Sequence, residues 1–239
     1  MKLLVSPRDL KEAEICVNSN VDYIDCKNPK EGSLGANFPW IIKAMKDLIP
    51  SDSHQLLSAT IGDFPYLPGS ASLAALGASV SGADIIKVGL KGPCSPDEAK
   101  NLMEKVVHAV KSYNGNIQIV AAGYADFRRM ENSPEFLEIP KIASKSGADI
   151  AMLDTYIKDG KCLFDFLDIS QLKKFIALSR ELNIKTALAG SLKVSDLTKI
   201  KILDPDIIGV RSVVCNGFDR IKGKIQFELI ENFKKKLYN

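Results

Sequence analysis

Two aspartates and three lysines stand out by type and spacing. Asp25 and Lys27 close a short apolar run, Val21 to Ile24, that reads as a buried strand. Side chains alternate across a strand, so Asp25 and Lys27 share one face and Cys26 takes the other. Asn28-Pro29 and Glu31-Gly32 stop the strand and start a loop. An amine fixed at a strand end beside a carboxylate suits imine chemistry; the other reading is a strand-end ion pair. Lys87 lies inside an otherwise apolar run, Ile85-Ile86-Lys87-Val88-Gly89-Leu90. A lysine there is costly without a partner. Burial and neighbouring cations lower a lysine's pKa, and the neutral amine is the form that attacks a carbonyl. Alternatively, its stem packs while its head reaches the rim. Asp154 ends another strand, with Lys158 just beyond it; Lys158-Asp159-Gly160 also has the make-up of a turn, in which Lys158 would be solvated.

The same strand ends carry Asp63, Tyr124, Asp126, Arg128 and Arg129. Two further loops suit an anion. Ala189-Gly190-Ser191-Leu192 and Gly209-Val210-Arg211-Ser212 follow the seventh and eighth predicted strands, where barrels bind phosphate through backbone N–H groups. Arg211 could add a bidentate contact. Lys91, Lys100, Lys105 and Lys111 are expected on helices as solvated charges, and Lys234-Lys235-Lys236 as a solvated end.

Other chemistries find less support. The two histidines, His54 and His108, fall away from predicted strand ends. The five cysteines are scattered, without a Cys-x-x-Cys pair, which argues against structural zinc or iron–sulfur and fits a reduced, cytoplasmic protein. A net charge of +3 is too mild to argue for nucleic acid. Met1 to Pro7 lacks the apolar core of a signal peptide, and no apolar run is long enough to span a bilayer.

These side chains need a scaffold that brings strand ends together. The expected strands are Lys2–Val5, Val21–Cys26, Leu56–Ile61, Ile85–Gly89, Ile117–Ala121, Ile150–Leu153, Lys185–Ala189 and Asp206–Val210. Helices are expected over Arg8–Val17, Trp40–Leu48, Ser70–Ser81, much of Pro134–Ser146, Ser170–Leu182, Ser195–Ile200 and Phe227–Leu237. Gly82-Ala83-Asp84 and Gly147-Ala148-Asp149 repeat one device, a glycine closing a helix just before a strand. Strands alternating with helices give the count and order of a single (β/α)₈ TIM barrel over residues 1–239, with a doubly wound open sheet as the competitor. No Gly-x-Gly-x-x-Gly follows the first strand, which weakens a dinucleotide-binding reading. Loops entering the strands are short, while those leaving them are long and rich in Gly, Pro, Asp and Lys. The chemistry is therefore expected at the carboxyl end of the barrel.

Four strings carry a family likeness: Asp25 through Trp40, Gly82 through Leu90, Ala121 through Asp126, and Met152 through Gly160. Together they resemble the (5-formylfuran-3-yl)methyl phosphate synthases, also called 4-(hydroxymethyl)-2-furancarboxaldehyde-phosphate synthases, from Met1 to beyond Arg220. The resemblance implies a TIM barrel acting early in methanofuran biosynthesis. The implied reaction joins two molecules of glyceraldehyde 3-phosphate into a phosphorylated furan aldehyde, a lyase-class reaction with no metal or organic cofactor. By that likeness Lys27 forms the Schiff base, Lys87 transfers protons, and Asp25, Asp154 and Lys158 match supporting charged positions. Gly190, Ser191, Gly209, Arg211 and Ser212 would hold phosphate. The family usually has valine where this chain has Cys26, on the face turned from the pocket. Asn132 to Ile139 and the Cys215–Asp219 loop depart from the pattern. The partner expected is a small triose phosphate, with neither nucleic acid nor membrane, and a homo-oligomer is possible. Another imine-forming aldolase, or a phosphate-metabolite sensor without catalysis, would use the same barrel.

Overall fold

The computed structural model describes residues 1–239. Its strands are β1 (Lys2–Val5), β2 (Tyr23–Cys26), β3 (Leu56–Asp63), β4 (Ile85–Gly89), β5 (Gln118–Tyr124), β6 (Ile150–Asp154), β7 (Lys185–Leu188) and β8 (Ile207–Val210). Each is followed by a helix: α1 (Leu10–Asn18), α2 (Pro39–Asp47), α3 (Pro68–Val80), α4 (Pro96–Tyr113), α5 (Glu138–Ser146), α6 (Ile169–Glu181), α7 (Leu197–Leu203) and α8 (Phe227–Tyr238). The strands pair in sequence order, all parallel, and β8 pairs with β1. The sheet is closed, so the chain is a (β/α)₈ TIM barrel and not an open doubly wound sheet.

Strand alternation divides the apolar residues into two cores. Ile24, Cys26, Ile86, Val88, Ile119, Ala121, Ala151 and Leu153 face outward and pack under the helices. Tyr23, Ile85, Val120, Ala122, Ile150 and Met152 point into the barrel. On β2, β4 and β6 the inward column runs Tyr23–Asp25, Ile85–Lys87 and Ile150–Met152–Asp154. The charged residues are thus the next step up from a filled apolar layer.

A fourfold device sets the strand starts. Asp22, Asp84, Asp149 and Asp206 precede the even-numbered strands. Each carboxylate accepts a backbone N–H from the preceding odd-numbered strand: Leu3 at 2.9 Å, Leu57 at 2.8 Å, Ile119 at 2.7 Å and Thr186 at 2.7 Å. Two residues before each aspartate the backbone is left-handed, at Asn20, Gly82, Gly147 and Asp204. The two Gly-Ala-Asp strings are therefore half of a set of four. The other two use asparagine and aspartate, the non-glycine residues that tolerate this conformation best.

Several boundaries differ from expectation. The first helix starts at Leu10 because Asp9 caps it, accepting from Glu12 N. The Pro134–Ser146 stretch is helical only from Glu138. Lys91 is not on a helix: it lies in the loop after β4, 4.9 Å above the Tyr156 ring. Lys111 is paired with Asp149 at 3.1 Å, and Lys234 donates to the Ser19 carbonyl at 2.7 Å, tying α8 to the end of α1. No helix is long and apolar enough to cross a membrane.

Candidate active site

Asp25 is the hub. Its carboxylate is fully buried and meets three groups: Ser6 Oγ donates to Oδ2 at 2.8 Å, Lys27 Nζ lies 3.9 Å from Oδ2, and Lys87 Nζ lies 2.5 Å from Oδ1. The Lys87 approach is off the hydrogen-bonding direction, so the contact is a close ion pair without an aligned hydrogen bond. Lys87 is 2% exposed. Its head sits inside the barrel against Asp25, which excludes the reading in which it reaches the rim. Gly89 follows on the same inward column. A side-chain carbon there would collide with the Asp63 carboxylate and the Tyr124 hydroxyl, which are hydrogen-bonded to each other across it.

Asp154 forms the second centre. Lys158 Nζ donates to its Oδ1 at 2.7 Å and to Thr155 Oγ1 at 3.1 Å, and Thr155 N donates to the same Oδ1. Lys158 is therefore a paired residue and not a solvated turn lysine. The loop holding it is stapled from β5: Asp126 accepts from Tyr156 N and Ile157 N, and Arg129 pairs with Asp159 at 2.6 Å. Burial opposes ionisation of Asp154, but Lys158 and Lys27 outweigh it and hold the carboxyl at about 2.

Lys27 is the least committed amine. Its nearest carboxylate oxygen is 3.9 Å away, against 2.5 Å for Lys87 and 2.7 Å for Lys158. Burial is the largest influence on it. Asp25 and Asp154 favour its charged form, Lys87 and Lys158 oppose it, and the amine is held at about 8. Cys26 points outward as alternation requires, and burial pushes its thiol up to about 12, so it is an inert packing residue.

Lys27, Asp154 and Lys158 line a small cavity of about 30 Å³ together with Gly190, Ser191, Gly209, Arg211 and Ser212. It adjoins a larger one of about 710 Å³, and Lys158, Ser191, Ser212 and Arg220 border both. Gly190 and Ser191 are consecutive left-handed residues. The backbone N–H groups of Gly190, Ser191 and Leu192, and of Ser212 and Val213, donate to no protein acceptor. Such a cluster of free donors is an anion cradle.

Arg211, expected as a bidentate phosphate ligand, lines the small cavity, and most of its guanidinium N–H groups are already paired within the protein. Nη1 and Nη2 donate to Glu12 at 2.8 and 3.3 Å, Nη1 also to the Ser6 carbonyl, and Nε to the Arg220 carbonyl. Glu12 is 3% exposed, on a helix where it reads as a surface residue. Arg220 borders both cavities. It lies in a loop without periodicity or motif, so no pattern in the sequence marks it.

A sequence model of the family described as 4-HFC-P synthase matches residues 3–234. The chain is 52% identical over 231 residues to a (5-formylfuran-3-yl)methyl phosphate synthase of Methanosarcina barkeri, covering 97% of each chain. It is 51% identical over 234 residues to that of Methanocaldococcus jannaschii, covering 98% of each. Among solved structures it is similar to 3-hexulose-6-phosphate synthase, with a TM-score of 0.67 at 15% identity, covering 99% of this chain and 100% of that one. The KGPDC of Streptococcus mutans gives a TM-score of 0.68 at 14% identity, covering 99% and 97%. At such identity these structures share the fold alone.

Proposed function

The chain belongs to the 4-HFC-P synthase family, and on that premise we propose that it condenses two molecules of glyceraldehyde 3-phosphate into (5-formylfuran-3-yl)methyl phosphate through an imine on Lys27, an early step of methanofuran biosynthesis. The supporting observation is the inequality of the three amines. Lys87 and Lys158 are each held in a short ion pair, whereas Lys27 faces the cavity with no oxygen closer than 3.9 Å among the carboxylates. Lowering a lysine from 10.5 to about 8 raises its neutral fraction at neutral pH by roughly 300-fold.

The neutral Lys27 amine adds to the aldehyde carbon of one triose phosphate, and loss of water gives a protonated imine. Asp25 and Asp154 balance that charge from opposite sides. The imine is an electron sink, so the neighbouring C–H becomes acidic and an enamine forms. Its carbon adds to the aldehyde of the second molecule; ring closure then expels one phosphate and two waters, and hydrolysis of the imine frees the furan aldehyde and regenerates the Lys27 amine. Lys87 removes or relays protons in these steps: its amine lies 2.5 Å from Asp25 Oδ1, and Asp25 Oδ2 lies 3.9 Å from Lys27. The N–H groups of Gly190, Ser191 and Ser212 hold phosphate, while Gly209 keeps the floor low: a side chain there would press on Ala189 and Leu4.

Incubation with glyceraldehyde 3-phosphate alone tests this reading. The expected result is an ultraviolet-absorbing furan aldehyde with release of inorganic phosphate, lost by at least 10³-fold in Lys27→Ala. A cleavage product, or a bound but unchanged triose phosphate, would replace it with another aldolase or a sensor.

A further inference from the structure

The loop that carries Arg220 is clamped on both flanks. Arg8 and Arg211 both pair with Glu12 on α1. Arg211 Nε donates to the Arg220 carbonyl at 3.1 Å; Arg8 donates to the Ile221 carbonyl and, at 3.2 Å, to that of Gly223. Asp219 Oδ1 accepts from Ile221 N at 2.7 Å and Lys222 N at 3.0 Å. The backbone on either side of Arg220 is thus fixed by three charged side chains from α1, its approach and the end of β8. The Arg220 side chain, by contrast, is half-buried, has no carboxylate oxygen within 4.0 Å, and borders both cavities beside Lys158, Ser191 and Ser212.

A guanidinium on a free surface loop needs no partner. Arg220 has lost much of its water on a pinned backbone; Asp154 favours its charge from a distance and Arg211 opposes it, and with no carboxylate in contact its fork is open to an anion from outside the protein. With Lys27 protonated, the site holds three amines against Asp25 and Asp154, so its unbalanced charge is then positive before Arg220 is added. The guanidinium fork matches the oxygens of a phosphate group, and the free N–H groups of Ser191 and Ser212 lie on the same shared wall.

We propose that Arg220 grips a phosphate group of the substrate at the junction of the two cavities, with the Glu12–Arg8–Arg211 cluster holding its loop in place. This rests on the phosphorylated-aldehyde reading above and assigns the phosphate to a residue that the strand-end pattern did not reach.

The test compares Arg220→Gln and Arg220→Lys with the wild type in borohydride trapping on Lys27, using glyceraldehyde 3-phosphate and glyceraldehyde. Arg220→Gln is expected to raise the triose phosphate concentration for half-maximal trapping by about 10- to 100-fold, with Arg220→Lys recovering part of the loss and glyceraldehyde trapping unchanged. An equal shift for both aldehydes, or none for the phosphorylated one, overturns the proposal. Calorimetric titration with inorganic phosphate separates this from the imine reading. Phosphate binding that weakens in Arg220→Gln supports the grip even if no adduct forms on Lys27. Equal phosphate binding by the two proteins overturns the grip even if the adduct does form.

Discussion

At the scale of residues, reactivity is set by how three lysines divide two carboxylates. Asp25 is claimed by Lys87 and Asp154 by Lys158, so Lys27 is left between them with neither in close contact. In the proposed mechanism the reacting form is the neutral amine, which accumulates as pH rises through about 8. The account expects kcat/KM to rise with pH on a limb near 8, where an ordinary lysine would place it about two units higher. Asp154→Asn removes an anion that favours the charged Lys27 and frees the Lys158 cation. Both effects lower the Lys27 pKa further, so the limb should move below 8 while the maximal rate falls. A limb that stays or rises would contradict this division of charge. Most of the cluster was legible in the sequence, because strand alternation alone puts Asp25 with Lys27 and marks Lys87 as out of place in an apolar run. Which amine is free was not legible, since it depends on distances across three strands. The partner of Arg211 was not legible for a related reason: Glu12, roughly two hundred residues earlier in the chain, looks like a solvated helix residue.

At the scale of elements, the two ends of each strand do different work. The carboxyl ends carry the charged cluster. The amino ends carry Asp22, Asp84, Asp149 and Asp206, which pin neighbouring strands in register by accepting backbone N–H groups. Asp84 also pairs with Lys46 at 2.7 Å. Asp84→Ala leaves the Leu57 N–H without its acceptor, a loss of about 1–3 kcal/mol, which lowers Tm by several degrees for a chain of this size. Thermal unfolding should show that drop, and kcat/KM measured well below Tm should be unchanged. A lost activity with an unchanged Tm would mean that this end communicates with the site. The sequence displayed two members of this set as Gly-Ala-Asp. The other two stayed hidden because Asn20 and Asp204 replace glycine at the left-handed position. The helix at Leu10 began later than expected for a comparable reason: a capping aspartate reads like the first turn until its backbone is seen to be extended.

At the scale of the molecule, the closed barrel turns distant segments into one site. Lys27, Lys87, Asp154 and Arg220 come from β2, β4, β6 and the loop after β8, and only closure of β8 on β1 brings the last of these beside the first. The order and number of elements, with short entering and long leaving loops, pointed to a barrel, but alternation alone left an open sheet as competitor until β8 was seen paired with β1. The chemistry was not readable from them, since barrels sharing this architecture at 14% and 15% identity bear other names. The proposed chemistry rests on one amine, and the most direct measurement reads that amine itself. The protein is treated with glyceraldehyde 3-phosphate and borohydride, then digested, and the adduct is located by mass spectrometry. The account expects a reduced adduct on Lys27 alone, absent in Lys27→Ala. An adduct on Lys87 or Lys158, or turnover surviving in Lys27→Ala, would contradict it.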